Sequence, residues 1–525
     1  MTKTTAFLFF LLAAVLLFFT EEHDLRQLAT YLAAPKDAQE TAALNNLLSS
    51  TLLHTLRFSI AAGLAATGLV LFFFGAYFMA WMRSSWNDGK AYVLALKQSL
   101  DKHTVVLLGL VLIVAVFLSF YLPVHHDEAY SYLYYAGKGP LVAAALYNST
   151  NNHLLFNVLA SVPAAVFPDP VTGMRLVSVG AGLLLLVHTN HFLQTVFDNK
   201  AARTATALVA VSYPFLYYVC HARGYMLAAL LGAWAFTGLY SYATGLSNRL
   251  RWFVMASIFG AYTMPVFVYF FAPLVFVALV LTQGARRKHL LQAVVWVGVG
   301  VLILYMPVFL LNGWDAVHQN EQVVQLETDV ASLTYSQYLF KIVQYFGFPT
   351  VYPLLGTVCG ILAYRETERR PLYLFALATV VVPPLVPLLQ GVYPPERVFT
   401  PLLLPLCVVM AALVERWPKT SALFCLAVFF NVRLMFLNET YAKRVETLYH
   451  NEMAADIGLR VYIHDHPTLR VLLLYHNRLN GEPVQINYSR TFSAFDTSVF
   501  SGKYDRVFSR LPVEGFSKNE FWYEK

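Results

Sequence analysis

The sequence predicts an α-helical polytopic membrane protein with a small α/β domain at its carboxyl end, on three observations. Of 525 residues, 58% are hydrophobic and only 13% are charged, with a mean hydropathy of +0.54, too apolar for a water-soluble globule. Apolar runs of roughly 20 residues, the length that crosses a hydrocarbon core, recur along most of the chain. From residue 438 onward, polar content rises and the apolar runs shorten to strand length.

About thirteen spans are expected from this length criterion, beginning near residues 5, 58, 104, 175, 203, 222, 251, 266, 290, 339, 371, 397 and 420. Within 251–281, Thr263-Met264-Pro265 interrupts a continuous apolar run, which is either one kinked helix or two short ones. The first run, Ala6 to Phe19, has the length of a signal peptide, but EEHDLRQ follows it at once without a small-residue cleavage site, so it is expected to remain as a helix. Basic residues occupy alternate loops: Arg83 to Lys102, Lys200 and Arg203, Arg249 and Arg251, Arg286-Arg287-Lys288, Arg365 to Arg370, and Arg416 with Lys419. The loops between are neutral or acidic, with Glu21, Glu22 and Asp24 in one and Asp315, Glu321, Glu327 and Asp329 in another. Positively charged loops stay inside, so the amino terminus is expected in the cytoplasm and everything beyond Asn438 outside.

The net charge of +7 is dealt into these loops rather than gathered in one patch, so no nucleic-acid partner is expected. Cys220, Cys359, Cys407 and Cys425 lie in or beside apolar stretches and imply no disulfide framework. The chain divides into two extra amino-terminal helices with their loops (1–103), a main transmembrane module (104–437) and a soluble outer domain (438–525). In that last part, helical spacing runs over Tyr441 to Ile463, and strands are expected over Arg470 to Tyr475 and Tyr504 to Ser509.

Asp127 and Glu128 stand just beyond the apolar run Thr104 to Val124. Adjacent carboxylates at a membrane boundary are costly, which marks them as functional candidates. The loop that follows is too apolar for a solvated one. Leu141 to Tyr147 and Leu154 to Phe167 are too short to span, and read as helices in the outer interface that wall a cavity. Partial desolvation there would raise a carboxylate's pKa toward that of a useful general base; alternatively, the two acids only cap a helix. His221-Ala222-Arg223-Gly224-Tyr225, Tyr393-Pro394-Pro395-Glu396-Arg397 and Arg175 fall at the same outer surface. Each arginine either anchors to lipid headgroups or holds a phosphate through its planar fork. His125, His126, Asp127 and Glu128, with His153 nearby in sequence, invite a metal-site reading but match no known ligand spacing. No metal or cofactor is therefore expected, a divalent ion being the alternative.

The Asp127-Glu128 pair, then NNHLLFNVL, RLVSVGAGLLLLV, SYPFLYYVCHARGYMLAALLGAWAF and GAYTMP, in this order and at these membrane depths, resemble the GT-C superfamily of integral membrane glycosyltransferases. The nearest group within it holds the protein O-mannosyltransferases and the lipid A aminoarabinose transferase. The resemblance covers Val105 to Phe430 and is densest from Asp127 to Phe236. It implies transfer of a sugar from a polyprenyl-phosphate donor to a glycan, lipid or protein acceptor, at the outer face of a bacterial plasma membrane. Asp127 matches the catalytic base or acceptor-orienting position and Glu128 its partner. Arg223, Arg397 and Arg175 are the candidates for the donor phosphate, and His126, Tyr130, Asn152, His153, His221, Tyr225 and Tyr393 for the cavity lining. A single displacement without an enzyme nucleophile would invert the anomeric centre.

The chain departs from the aminoarabinose transferases, which carry an acidic residue where it has His221-Ala222-Arg223 and a Lys where it has Met264. That argues against aminoarabinose and lipid A as its substrates. The alternative function, a transporter or flippase of lipid-linked sugars, predicts repeated halves and charged groups at the bilayer midplane, and the sequence has neither.

Overall fold

The computed structural model describes residues 87–147, 149–248, 250–313, 335–346, 365–390, 394–419, 440–455, 457–489, 504–510, 517–518 and 521–524, with isolated positions outside these ranges. It is mostly helical. Helix α1 (Lys102–Tyr121) starts where the Asp101 side chain accepts from the Thr104 N–H at 2.8 Å, and stops at Leu122, whose extended backbone precedes Pro123. Three short helices follow, α2 (His126–Tyr134), α3 (Pro140–Ala145) and α4 (Leu154–Val166), the last two where short helices are expected between spans. Helix α5 (Pro170–Gln194) has Asp169 as its amino-terminal cap and proline as its first residue, a position where the missing N–H costs nothing.

The run expected to span from residue 203 is instead two helices, α6 (Asn199–Ala210) and α7 (Tyr213–Val219), broken at Ser212 ahead of Pro214. Helix α8 (Tyr225–Ala243) follows. The ambiguity at Thr263 resolves into two helices, α9 (Arg251–Thr263) and α10 (Val268–Leu281), joined by a 3-10 turn. Met264 is extended (φ −156°, ψ 134°) because the ring of Pro265 disfavours the helical region for the residue before it. Then come α11 (Gly284–Asn312), α12 (Tyr335–Tyr345), α13 (Arg370–Gln390), a 3-10 segment Glu396–Leu402, and α14 (Leu403–Arg416).

Among the described residues, five helices are long and apolar enough to cross a membrane: α1, α5, α8, α11 and the continuous stretch Glu396–Arg416. They coincide with the spans expected from 104, 175, 222, 290 and 397. Apolar stretches at Leu154–Val166, Pro265–Leu281 and Arg370–Val386 are shorter, and the spans expected near 5, 58 and 420 lie outside the described residues. Helix α1 has 28% of its apolar window buried and α11 17%, against 72% for α8 and 83% for Glu396–Arg416. The first two therefore present apolar surface outward, as lipid-facing helices do, and the latter two form the centre. The chain is a membrane-integral protein.

A helical stretch over 87–99 reaches the far ends of α5 and α8. There the Tyr92 hydroxyl meets His188 Nδ1 at 2.5 Å and accepts from Trp234 Nε1 at 3.1 Å, beside a cavity of about 270 Å³.

The described residues between 440 and 524 form a mixed sheet with two helices. Helix α15 (Thr440–Glu452) precedes β1 (Arg460–His464), α16 (Pro467–Leu479), β2 (Gln485–Ser489), β3 (Arg506–Ser509), β4 (Ser517–Lys518) and β5 (Tyr523–Glu524). The strand order is β2-β1-β3-β5-β4; β1 pairs parallel with β2 and β3, while β5 is antiparallel to β3 and β4. Two sequence expectations are corrected here. Arg470 to Tyr475 is the middle of α16 rather than a strand, and the helix expected over Tyr441 to Ile463 ends at Glu452. The strand expected near Tyr504 is β3.

Candidate functional site

Helix α2 places both carboxylates, and its cap separates their roles. The Glu128 side chain reaches back to accept from the His125 N–H at 2.9 Å, while His125 Nδ1 accepts from the Asp127 N–H at 3.3 Å. This is a capping box with histidine at the cap. Glu128 is fully buried. Its Oε1 also accepts from Arg175 Nε (2.8 Å) and the Ala222 N–H (2.5 Å), and its Oε2 from Arg175 Nη2 (2.6 Å). Burial alone would raise its pKa, but the Arg175 charge, with help from His221 and the Ala222 N–H, brings it down to about 2. Glu128 is thus an ionised, saturated carboxylate enclosed in the protein.

Arg175 is equally enclosed, at 1% exposure. Besides Glu128, it donates to the carbonyls of Ser119 (2.8 Å) and Leu122 (2.9 Å) through Nη1, and of Pro123 (2.9 Å) through Nη2. All five of its N–H groups are spent, so it offers no donor to a phosphate. It locks the end of α1 to α2 and α5.

Asp127 points the other way, its side chain 14% exposed. Its Oδ1 lies 3.1 Å from His126 Nε2 and its Oδ2 lies 3.9 Å from Arg397 Nη2. Although burial pushes its pKa upward, the Arg223, His126 and Arg397 charges hold it well below the ordinary carboxylate range. This reverses the sequence expectation of a pKa raised by desolvation: the two guanidinium groups and the His126 contact outweigh the partial burial of the carboxylate.

The other two arginines differ from Arg175. Arg223, 4% exposed, donates through Nη1 to Ser131 Oγ (3.0 Å), the Asn151 carbonyl (3.2 Å) and the Asp127 carbonyl (3.3 Å). Its Nε has no hydrogen-bond partner among the described residues. Arg397 opens the 3-10 segment after Pro394-Pro395, and its side chain is 39% exposed. At 3.9 Å from Asp127 the pair is ionic but too long to be hydrogen-bonded.

His153 sits under Arg223. Burial first and the Arg223 charge second keep its pKa well below the usual value, so the ring is neutral. Its Nδ1 accepts from the Gly224 N–H at 2.8 Å, which leaves the ring hydrogen on Nε2, 3.3 Å from Arg223 Nη2. Two donors therefore face each other, and an oxygen acceptor entering between them would serve both. Gly224 permits this approach: a Cβ there would lie 2.8 Å from His153 Nδ1 and 2.9 Å from Thr263 Cγ2. Gly224→Ala should keep the fold while displacing His153. Turnover of the purified protein should fall by up to about 10², the cost of an ångström-scale misplacement in an active centre.

Of the expected lining residues, the structure brings His126 and His153 around Asp127. His126 has its side chain 40% exposed. Tyr130 is half-buried against Tyr134, with ring centroids 4.4 Å apart. Asn152, His221 and Tyr225 are buried in the walls. Asn152 Nδ2 donates to the Ala143 (3.1 Å) and Leu146 (2.6 Å) carbonyls, His221 stacks on Tyr217 at 4.0 Å, and Tyr225 packs edge-on to His153 at 4.8 Å. Tyr393 lies outside the described residues. Sequence reasoning missed Ser131 and Asn151. Ser131 stands one helical turn after Asp127, so the i, i+4 spacing was available as a signal; Asn151 acts through its backbone and had none. The ligand atoms of His125, His126 and Asp127 lie within 4.8 Å of one another, while Arg397 and Arg223 already supply positive charge to the same carboxylate.

Comparison with protein-family models and with curated proteins finds no match. Among solved structures, the chain is similar to ArnT from Cupriavidus metallidurans in the apo state, with 12% sequence identity and a TM-score of 0.56 over 80% of this chain and 97% of that one. The fold is therefore that of ArnT, an architecture in which the Asp127, Arg223 and Arg397 group is set at one end of the α5 and α8 helices.

Proposed function

We propose that this protein is a membrane glycosyltransferase that moves a sugar from a polyprenyl-phosphate donor to an acceptor hydroxyl at the outer face of the membrane, with inversion. The observation that carries the reading is the contrast among three arginines around one acidic pair. Arg175 has spent every donor on Glu128 and backbone carbonyls, whereas Arg397 has a part-exposed side chain and Arg223 an unspent buried Nε, both beside the ionised Asp127. The similarity to ArnT and the departures at His221-Ala222-Arg223 and Met264 together favour a lipid-linked sugar other than aminoarabinose.

In this reading the acceptor oxygen, oriented by Asp127, attacks the anomeric carbon as the bond from that carbon to the phosphate oxygen breaks. The polyprenyl phosphate leaves with one additional negative charge, which Arg397 and Arg223 stabilise. A carboxylate with so low a pKa is a weak base. Asp127 therefore orients the hydroxyl and receives its proton late, once the acceptor oxygen has become acidic through bond formation. Two guanidinium groups supply the positive charge that the leaving phosphate needs.

Arg397 provides the test. Arg397→Lys keeps the charge but loses the bidentate fork and should be partly active; Arg397→Ala should lose donor affinity by at least about tenfold. Affinity for a polyprenyl-phosphate sugar, measured on the detergent-solubilised protein, decides the matter. Normal donor binding by Arg397→Ala would reduce Arg397 to a lipid anchor and remove the main support for this reading.

A further inference from the structure

The cavity of about 270 Å³ at the far ends of α5 and α8 is separate from the acidic pair. His188, in its wall, stands about 20 Å further along α5 than Arg175. One side of the cavity is a cluster of rings. Trp252 lies 6.1 Å from Tyr92 and 6.4 Å from Trp234, and Tyr92 lies 5.8 Å from His188 and 6.5 Å from His191, all between centroids. Gly238 brings Trp252 into this cluster. A Cβ there would lie 3.2 Å from the Phe253 backbone nitrogen, so the bare α-carbon lets the start of α9 close on α8.

A hydrogen-bond chain holds the rings in place. Thr237 Oγ1 spends its hydrogen on the Ala233 carbonyl (3.0 Å) and therefore accepts from His188 Nε2 (3.1 Å). His188 Nδ1 then accepts from the Tyr92 hydroxyl (2.5 Å), which accepts in turn from Trp234 Nε1 (3.1 Å). A completed chain of this kind fixes an aromatic face before any ligand arrives. Other polar groups remain for a ligand: His191 and Ser241 line the cavity, and their side chains make no hydrogen bond among the described residues. No Asp, Glu, Lys or Arg is among the described lining residues.

These features select the ligand. An ion would enter without a counter-charge in the wall, which is costly. A purely apolar chain would cover His191 and Ser241 without satisfying them. A pyranose ring offers both surfaces required, a C–H face that packs on an aromatic ring and a rim of hydroxyls that donate and accept. The volume, near the lower limit of roughly 300 Å³ for small-molecule sites, suits one such ring. We propose that this cavity is a binding site for an uncharged glycosyl ring, presented either by a free sugar or by a glycolipid headgroup. The site stands whether or not the glycosyl-transfer reading of the acidic pair does.

Equilibrium binding to the full-length protein tests it. Radiolabelled methyl β-D-glucopyranoside and methyl α-D-mannopyranoside are the free probes, used in a polyoxyethylene detergent because that carries no sugar. Glucosyl diacylglycerol in nanodiscs is the membrane-anchored probe. Saturable binding of a methyl glycoside points to a free sugar, and binding of the glycolipid alone to a headgroup; both support the proposal. Trp252, at 37% exposure, can be replaced without emptying a core. Trp252→Ala should weaken binding by at least about tenfold through loss of one aromatic face, Trp252→Phe less, and Ser241→Ala several-fold, while Arg397→Ala leaves it intact. Wild-type binding by folded Trp252→Ala overturns the proposal; should that variant not fold, wild-type binding by Ser241→Ala does so. Failure of all three probes to bind, or displacement of a bound glycoside by choline, overturns it as well. Loss of binding in Arg397→Ala alone places the sugar at the acidic pair and overturns this site while leaving the transfer reading in force.

Discussion

Asp127→Asn protein is expected to fold and to bind the donor normally while transferring sugar at least about 10² more slowly, the lower end of what losing a positioned proton acceptor costs. The amide is the same size and retains a neighbour in His126, 3.1 Å from Oδ1 in the wild type, so the substitution removes charge and basicity rather than shape. Arg223 and Arg397, with the His126 contact, hold the Asp127 pKa well below 3.8, so the carboxylate is ionised throughout the neutral range, and the wild-type rate should not show an acid limb from this residue above about pH 4. A pH–rate profile and single-turnover transfer on the purified protein check both statements. Unchanged transfer by well-folded Asp127→Asn would end the assignment.

Arg175→Met should be the most damaging substitution to stability. It leaves the fully buried Glu128 carboxylate without its cation and strips donors from three carbonyls, those of Ser119, Leu122 and Pro123. Breaking a buried ion pair from one side costs about 3–5 kcal/mol, enough to lose folded protein at physiological temperature. Glu128→Gln keeps the shape and isolates the charge. Because the folded-state pKa of Glu128 is depressed to about 2 from 4.5, its contribution is fully present above pH 4.5 and is lost as pH falls toward 2. That acid-side dependence of the unfolding midpoint should be weaker in Glu128→Gln. A thermal midpoint for Arg175→Met equal to the wild type's would instead restore Arg175 as a phosphate-binding candidate.

Helix existence, the membrane class and the location of the acidic pair were legible in the chain alone, because hydropathy, proline placement and capping residues act over a few neighbouring positions. The interruption at Thr263-Met264-Pro265 is of this kind, although the structure alone chose two helices over one kinked helix. So, in retrospect, is α16: Pro467 opens it and His476 with Arg478 lie in its last turn, but the short apolar run Val471-Leu472-Leu473-Leu474 reads as a strand when length is the only guide. What the tertiary structure alone decided is which charged residue faces which. Glu128 and Arg175 are 47 residues apart and meet only because α5 returns beside α2, turning an expected catalytic partner and an expected phosphate ligand into one enclosed clamp. The same packing gathers Arg223 and Arg397 on Asp127 and inverts its expected pKa shift. Local sequence specifies where a charge is carried along an element; the balance between desolvation and Coulomb attraction depends on distances between elements, and those exist only once the helices are packed.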